Sequence, residues 1–302
     1  MQDILVRAGC FVAIILLGYI MRKINFMDET AFPVLSKIVI KITLPAAIIV
    51  SYNGKEIDPT MLALVGIGFG VCCLQMLLGY LINIRGGKDA QAFGIVNSSG
   101  YNIGNFTMPF VQSFLGPVGV ITTSLFDTGN ACICLGTSYS IASVVKEGSK
   151  FSVKKILRNL VKSVPLLCYI FMMCLSLLHI SLPSPVISLA EIISGANAYL
   201  AMFMIGVGFK LEANRSQIGQ IGKILGLRYA FGAVAASVFY FVLPFDLAVR
   251  QALVILAFAP IPSSAPAFTG EMKGDVGLAS ATNSVSIVCS IAIIVSLLLI
   301  ML

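Results

Sequence analysis

Asp127, Asn102, Asn105, Asn130 and Asn283 are the residues best suited to chemistry in an otherwise apolar chain. Two of them belong to 97-NSSGYNIGNFTMPF-110, which packs three asparagines, three serines or threonines, two glycines and a proline between apolar runs. Carboxamides and free backbone N–H groups suit a bound anion. A carboxylate among hydroxyls and carboxamides suits a proton or a small cation. Asp127 stands beside Thr128, Gly129 and Asn130, and a second polar run comprises Ser280, Thr282, Asn283, Ser284 and Ser286. Asp127, Asn130, Thr282 and Asn283 are therefore candidates for coupling Na+ or H+. The alternative is a structural carboxyl, protonated or paired with Asn. No His/Cys/carboxylate cluster, phosphate loop or G-x-S-x-G elbow occurs, so no catalytic residue, metal site or organic cofactor is expected.

The elements that must position these residues are set by composition. The chain has 302 residues, 58% hydrophobic and 11% charged, against about a quarter charged in soluble domains. Mean hydropathy is +0.98. The apolar stretches are continuous and about twenty residues long, the span of a transmembrane helix rather than of a barrel strand. The expected fold is all-α and integral to the membrane, with the lipid bilayer as its solvent. Ten spans are expected, roughly at 4–22, 33–52, 60–83, 90–112, 118–145, 160–180, 185–209, 219–243, 247–270 and 276–301. The first has its basic residues, Arg22 and Lys23, at the wrong end for a signal peptide and reads as a retained helix.

Lys146, Lys150, Lys154, Lys155 and Arg158 crowd one loop, which makes it cytoplasmic. Alternation then places Arg22-Lys23, Arg85/Lys88, Lys210/Arg215 and Lys273 inside, leaving Lys55, His179 and Arg250 opposite and both termini outside. Basic loops explain the net charge of +7 without nucleic acid. The eight cysteines all lie in apolar segments and read as small hydrophobes.

An odd number of spans repeated in tandem must invert. Pro33-Val-Leu-Ser36 is echoed by Pro185-Val-Ile-Ser188, and Gly116-Pro-Val-Gly119 by Gly274-Asp-Val-Gly277, at offsets of 152 and 158. The halves are 1–148 and 149–302. The fourth span of the first half holds the opening stretch; its counterpart, span nine, holds 258-FAPIPSSAPAFTG-270 with three prolines. A continuous helix through three prolines is implausible, and glycines loosen the first segment. Broken backbone at membrane depth survives only in protein or beside a water-filled cavity. Paired breaks in inverted halves point to a transport site. The substrate-binding candidates are Asn102, Gly104, Asn105 and Pro109, with Pro262, Ser263, Ser264 and Pro266. The competing reading is a pair of kinked packing helices.

Lys37 and Lys41 share one helix face, either snorkelling or attracting substrate. Arg228 lies deep in span eight and wants a partner that sequence does not name. Arg7, Arg250 and Glu191 are expected at the interface, and His179 at an outer helix end.

These residues also carry a resemblance. Asn102-x-Gly104-x-x-x-x-Pro109, Phe114-Leu-Gly116 and Asp127, then Pro262-x-x-Ala265 and Gly274-Asp275-x-Gly277-x-Ala279-Ser280, resemble the two signatures of the auxin efflux carrier family. The likeness covers essentially the whole chain. It implies a secondary carrier of organic anions, such as auxins, malate or malonate, and a fold similar to that of bile-acid sodium symporters. It further implies a scaffold of spans 1, 2, 6 and 7 and an elevator-like unit of spans 3–5 and 8–10; a homodimer through the scaffold helices is a candidate assembly that the sequence does not decide. The short loop between spans five and six resembles prokaryotic members, so the expected site is the cell (inner) membrane. Pro266 departs from the polar residue of many relatives and puts transfer of a particular substrate in doubt. The alternatives are a cation/proton antiporter, or a channel or sensor on the same scaffold.

Overall fold

The computed structural model describes residues 2–28, 30–55, 57–209 and 217–302. Among them every regular element is helical. Lys210 and Arg215, two of the residues assigned to the basic face, lie outside the described residues.

Lipid leaves the backbone no partner but itself, so apolar runs become helices. The helices are α1 Gln2–Lys23; α2 Ala31–Tyr52, with a π turn at Val39–Thr43; α3 Ala63–Ile82; α4 Gly87–Ser98; α5 Met108–Cys132; and α6 Ser138–Glu147. After the basic loop come α7 Val153–Val161, α8 Val164–Leu177, α9 Ser184–Ser194, α10 Asn197–Gly208, α11 Ile218–Phe241, α12 Leu247–Ala257, α13 Ala265–Glu271 and α14 Val276–Met301. Local chemistry starts several of them. Asp58 accepts a bond from the Thr60 N–H at 2.8 Å ahead of α3, which holds its carboxyl below the usual carboxylate range.

Among the described residues, seven helices are long and apolar enough to cross a membrane, or eight if the pair α7 and α8, bent by 69°, forms one span. One of the seven is the 61-residue run Gly87–Glu147, where two spans were expected. That run is broken at residues 99–102 and again at Gly116, whose φ of 61° and ψ of −154° are not helical. α12, with 11 residues, reaches only about 16 Å at 1.5 Å per residue, well short of a bilayer core. The count falls short of the ten expected because two expected spans join in one run, α7 and α8 are bent apart, and α12 is short.

Two groups emerge from the packing. α1 lies along α10, and α2 packs on α8, α9 and α10. In the second group α3 packs on α4 and α5, α4 on α6, α11 on α12, α12 on α5 and α13 on α14. Glycines let backbones touch inside each group. A Cβ on Gly206 would lie 1.9 Å from the Ile15 carbonyl oxygen, and one on Gly18 would lie 2.2 Å from that of Phe203. In the second group a Cβ on Gly129 would meet the Val65 oxygen at 2.1 Å, and one on Gly68 the Phe126 oxygen at 2.2 Å. Across the two sets α5 also packs on α2 and on α10, and side chains link Gln112 with Ser194 and Asn197 and Asp127 with Tyr169. Gly206→Ala is expected to cost about 1–3 kcal/mol by overpacking, whereas Gly9→Ala, with nothing within 4 Å, should cost nothing. Thermal unfolding in detergent compares them; equal midpoints would refute the close seam.

The loops bearing most of the basic residues are tied together at one end. Arg22 donates to the Val207 carbonyl at 3.1 Å, Lys146 pairs with Asp89 at 2.7 Å, and Lys155 lies 3.7 Å from Glu271.

Candidate functional site

α4 stops at Ser98, and the chain runs irregularly to Asn102 before a π turn, Ile103–Thr107, leads into α5. Gly100, at φ +72°, makes the bend. A Cβ there would sit 2.4 Å from Cys134 Sγ, so both conformation and space require glycine. Pro109 follows the π turn at the head of α5. In the second break α12 ends at Ala257, residues 258–264 are irregular through Pro260 and Pro262, and α13 restarts with Pro266 in its first turn.

Broken backbone inside a membrane must be satisfied by something. Arg228, 2% exposed, does much of this. Its Nη1 donates to the carbonyls of Ser98 at 2.6 Å and Gly100 at 2.9 Å, and its Nη2 to that of Ala259 at 3.0 Å. The partner that sequence did not name is thus the negative, carbonyl end of both half-helices. Asn130 grips the first break: its Oδ1 accepts from the Tyr101 N–H at 2.9 Å and its Nδ2 donates to the Tyr101 carbonyl at 3.0 Å. Asn283 donates to the Pro262 carbonyl at 3.3 Å, and Ser286 Oγ accepts from the Ile261 N–H at 3.1 Å in the second. Asn130 and Asn283 are 153 positions apart, between the two repeat offsets. The breaks also hold each other, since the Asn102 N–H donates to the Pro260 carbonyl and Asn102 Nδ2 to Ser263 Oγ, both at 2.9 Å.

A cavity of about 490 Å³ opens at this junction. It is lined by Asn102, Gly104, Asn105, Asp127, Asn130, Pro262, Ser263 and Ser264 from the second helix group, and by Lys37 and Tyr169 among others from the first. Pro266 and Asn283 instead face a neighbouring space of about 300 Å³, which Asn102 and Ser263 share. Pro109 and Thr282 reach neither: Pro109 is buried in α5, and the Thr282 hydroxyl donates to the Leu278 carbonyl at 2.6 Å. The carboxylate of Asp127 accepts from Asn130 Nδ2 at 2.8 Å and from the Tyr169 hydroxyl at 3.0 Å. Asn105 lines this cavity, and its buried Oδ1, an acceptor, has no partner. Tyr169 escaped the sequence reading because a phenol in an apolar helix looks like packing.

The family profile described as membrane transport protein matches residues 10–301. The chain belongs to the auxin efflux carrier family. It is also similar to an uncharacterized transporter of Methanothermobacter thermautotrophicus, 23% identical over 286 residues, 92% of each chain. As an auxin efflux carrier family member the chain is a membrane transporter with several helical spans. In this family member the two breaks and the cavity combine unpartnered polar groups with an opening between helix groups.

Proposed function

We propose that this transporter moves a small organic anion, a carboxylate such as malate, malonate or an auxin-like acid, as a secondary active carrier. The observation that carries the reading is the meeting of two helix breaks on one cavity lined by carboxamides and hydroxyls. Arg228 occupies the carbonyl ends of the half-helices, so the amide-rich start of the π turn and α5, with Asn102 and Asn105, is what a carboxylate meets. Lys37 adds an exposed positive charge at the rim. Asp127 and Asn130, with Thr282 and Asn283 on the matching helix, are the proposed place for Na+ or H+ coupling.

The movement is elevator-like: α3–α6 and α11–α14 travel against α1, α2 and α8–α10. Support comes from the backbone-close glycine seams within each group and from the cavity, which residues of both groups line. Ten spans in two inverted halves, 1–148 and 149–302, are supported by matched packing: α1 lies on α10 as α8 lies on α2. The cavity's rim includes Phe32 and Pro33 in the first turn of α2 and Ser163 before α8, at the end that bears the basic loops. By the excess of positive charge this end is cytoplasmic, with both termini outside, in the cell membrane. A homodimer through the scaffold helices belongs to the same proposal.

Uptake of labelled malate, malonate and indole acids into proteoliposomes, with and without pH and sodium gradients, is the test. The absence of movement or binding of any organic anion would sink it. Asn105→Ala is expected to abolish ligand-induced thermal stabilisation without changing the melting temperature of the free protein; a normal ligand shift removes Asn105 from the site. Asp127 on the cavity wall favours one second reading, a cation/proton antiporter. That reading gains if Asp127 is essential and no organic ligand shifts the melting temperature.

A further inference from the structure

Between the halves, α7 differs from every helix around it. Ser152 caps its start, accepting from the Lys155 N–H at 3.3 Å, and it turns 69° away from α8, which is apolar throughout. At that angle α7 does not continue the line of α8, and its separate apolar and basic faces are those of a helix lying along a membrane surface.

Its nine residues divide into faces of different chemistry. One face meets the protein: Ile156 is buried, and Asn159 Nδ2 donates to the Leu135 carbonyl at 2.8 Å, beside the bend at Gly136. The second face, Val153, Leu157 and Val161, is 56%, 55% and 67% exposed. The third carries Lys154 and Arg158 and continues into Lys162. All three basic residues are exposed, and no contact ties them to an acidic group among the described residues. Lys155 points elsewhere, 4.2 Å over the Tyr139 ring and toward Glu271. The second and third faces meet in an open strip of Leu157 and Val161 edged by Lys154, Arg158 and Lys162.

An apolar strip bordered by unpaired cations fits an amphiphile with a negative head. Partition of an amphipathic helix into the interface scales with its apolar face and its attraction to anionic lipid. A soluble acidic partner would leave the Leu157 strip uncovered next to a membrane span. We propose that α7 is an in-plane binding site for an anionic phospholipid, its headgroup phosphate held by Lys154, Arg158 and Lys162 and its acyl chain by Leu157 and Val161. The proposal needs only that the chain spans a bilayer and is independent of what it carries. Because α7 also holds the Leu135–Gly136 bend and the tip of α13, the lipid steadies both.

The chain contains no tryptophan, so Leu157→Trp gives a single reporter on the exposed strip. In nanodiscs its emission is expected to shift to the blue and to be quenched by brominated acyl chains rather than by aqueous acrylamide. Native mass spectrometry of the wild-type full chain should retain phosphatidylglycerol in preference to phosphatidylcholine. The triple variant K154A/R158A/K162A should weaken that retention strongly, by roughly fivefold per side chain, with phosphatidylcholine retention unchanged. Should the triple variant fail to fold by circular dichroism, Arg158→Glu alone carries the test with the same expected direction. The proposal is overturned by acrylamide-accessible emission in bilayers, or by equal phosphatidylglycerol retention in a folded charge variant and the wild type.

Discussion

Arg228→Met is expected to destabilise the protein more than any other single substitution considered. Three carbonyls, of Ser98, Gly100 and Ala259, lose their donor at once. A buried polar group left unsatisfied costs about 1–3 kcal/mol, so the loss is roughly 3 kcal/mol or more. Removing the desolvated guanidinium offsets part of this. Water cannot readily substitute, because the site is 2% exposed. Arg228→Lys separates charge from geometry. An ammonium lacks the rigid fork that spans both breaks, so at least half the loss should remain. Thermal unfolding in detergent gives the magnitude, and hydrogen exchange at residues 98–102 and 258–262 gives the location. A melting temperature within a degree of wild type for Arg228→Met would refute the role.

The second prediction concerns activity. Within the proposed transport reading, Asp127→Asn is expected to lower gradient-driven uptake at least tenfold while leaving the fold intact. The carboxylate accepts two hydrogen bonds, from Asn130 and from Tyr169. A carboxamide has one acceptor oxygen and presents N–H groups to the other neighbour, so one of the two contacts must rearrange. The charge that would hold a coupling ion also disappears. Tyr169→Phe is the companion variant, since it removes only the hydroxyl and leaves the charge. Uptake with and without pH and sodium gradients separates them: Asp127→Asn should lose gradient dependence and Tyr169→Phe should keep it. Full gradient-driven uptake by Asp127→Asn would end the coupling proposal.

What could be read from sequence was what acts locally. Three prolines in 258–270 and the glycines at 100 and 104 oppose a continuous helix by local chemistry, and both segments are broken. The cavity gathers most of the residues picked from those stretches. What escaped was non-local. Arg228 was legible as a buried charge, yet the carbonyls of Ser98 and Gly100 are 130 and 128 residues away along the chain. Asn130 and Asn283 stood out as polar residues in apolar helices, but nothing local says that each grips a break. Tyr169 gave only the signal of a core aromatic. Hydropathy also counted spans as though helices were unbroken, which is why Leu247–Ala257 looked like part of a full crossing.

The glycine contacts carry a mechanical consequence. Gly18, Gly68, Gly129 and Gly206 bring main chain against main chain inside each helix group, and such surfaces have no rotamers with which to yield. A slip of half an ångström there means collision. Across the boundary the nearest such neighbour is soft: a Cβ on Gly104 would meet only the Leu44 side chain, at 3.0 Å. The Gln112 and Asp127 contacts there are likewise single side-chain hydrogen bonds. The glycine seams are therefore rigid, while the place where Gly104 meets Leu44 can be relieved by turning one side chain.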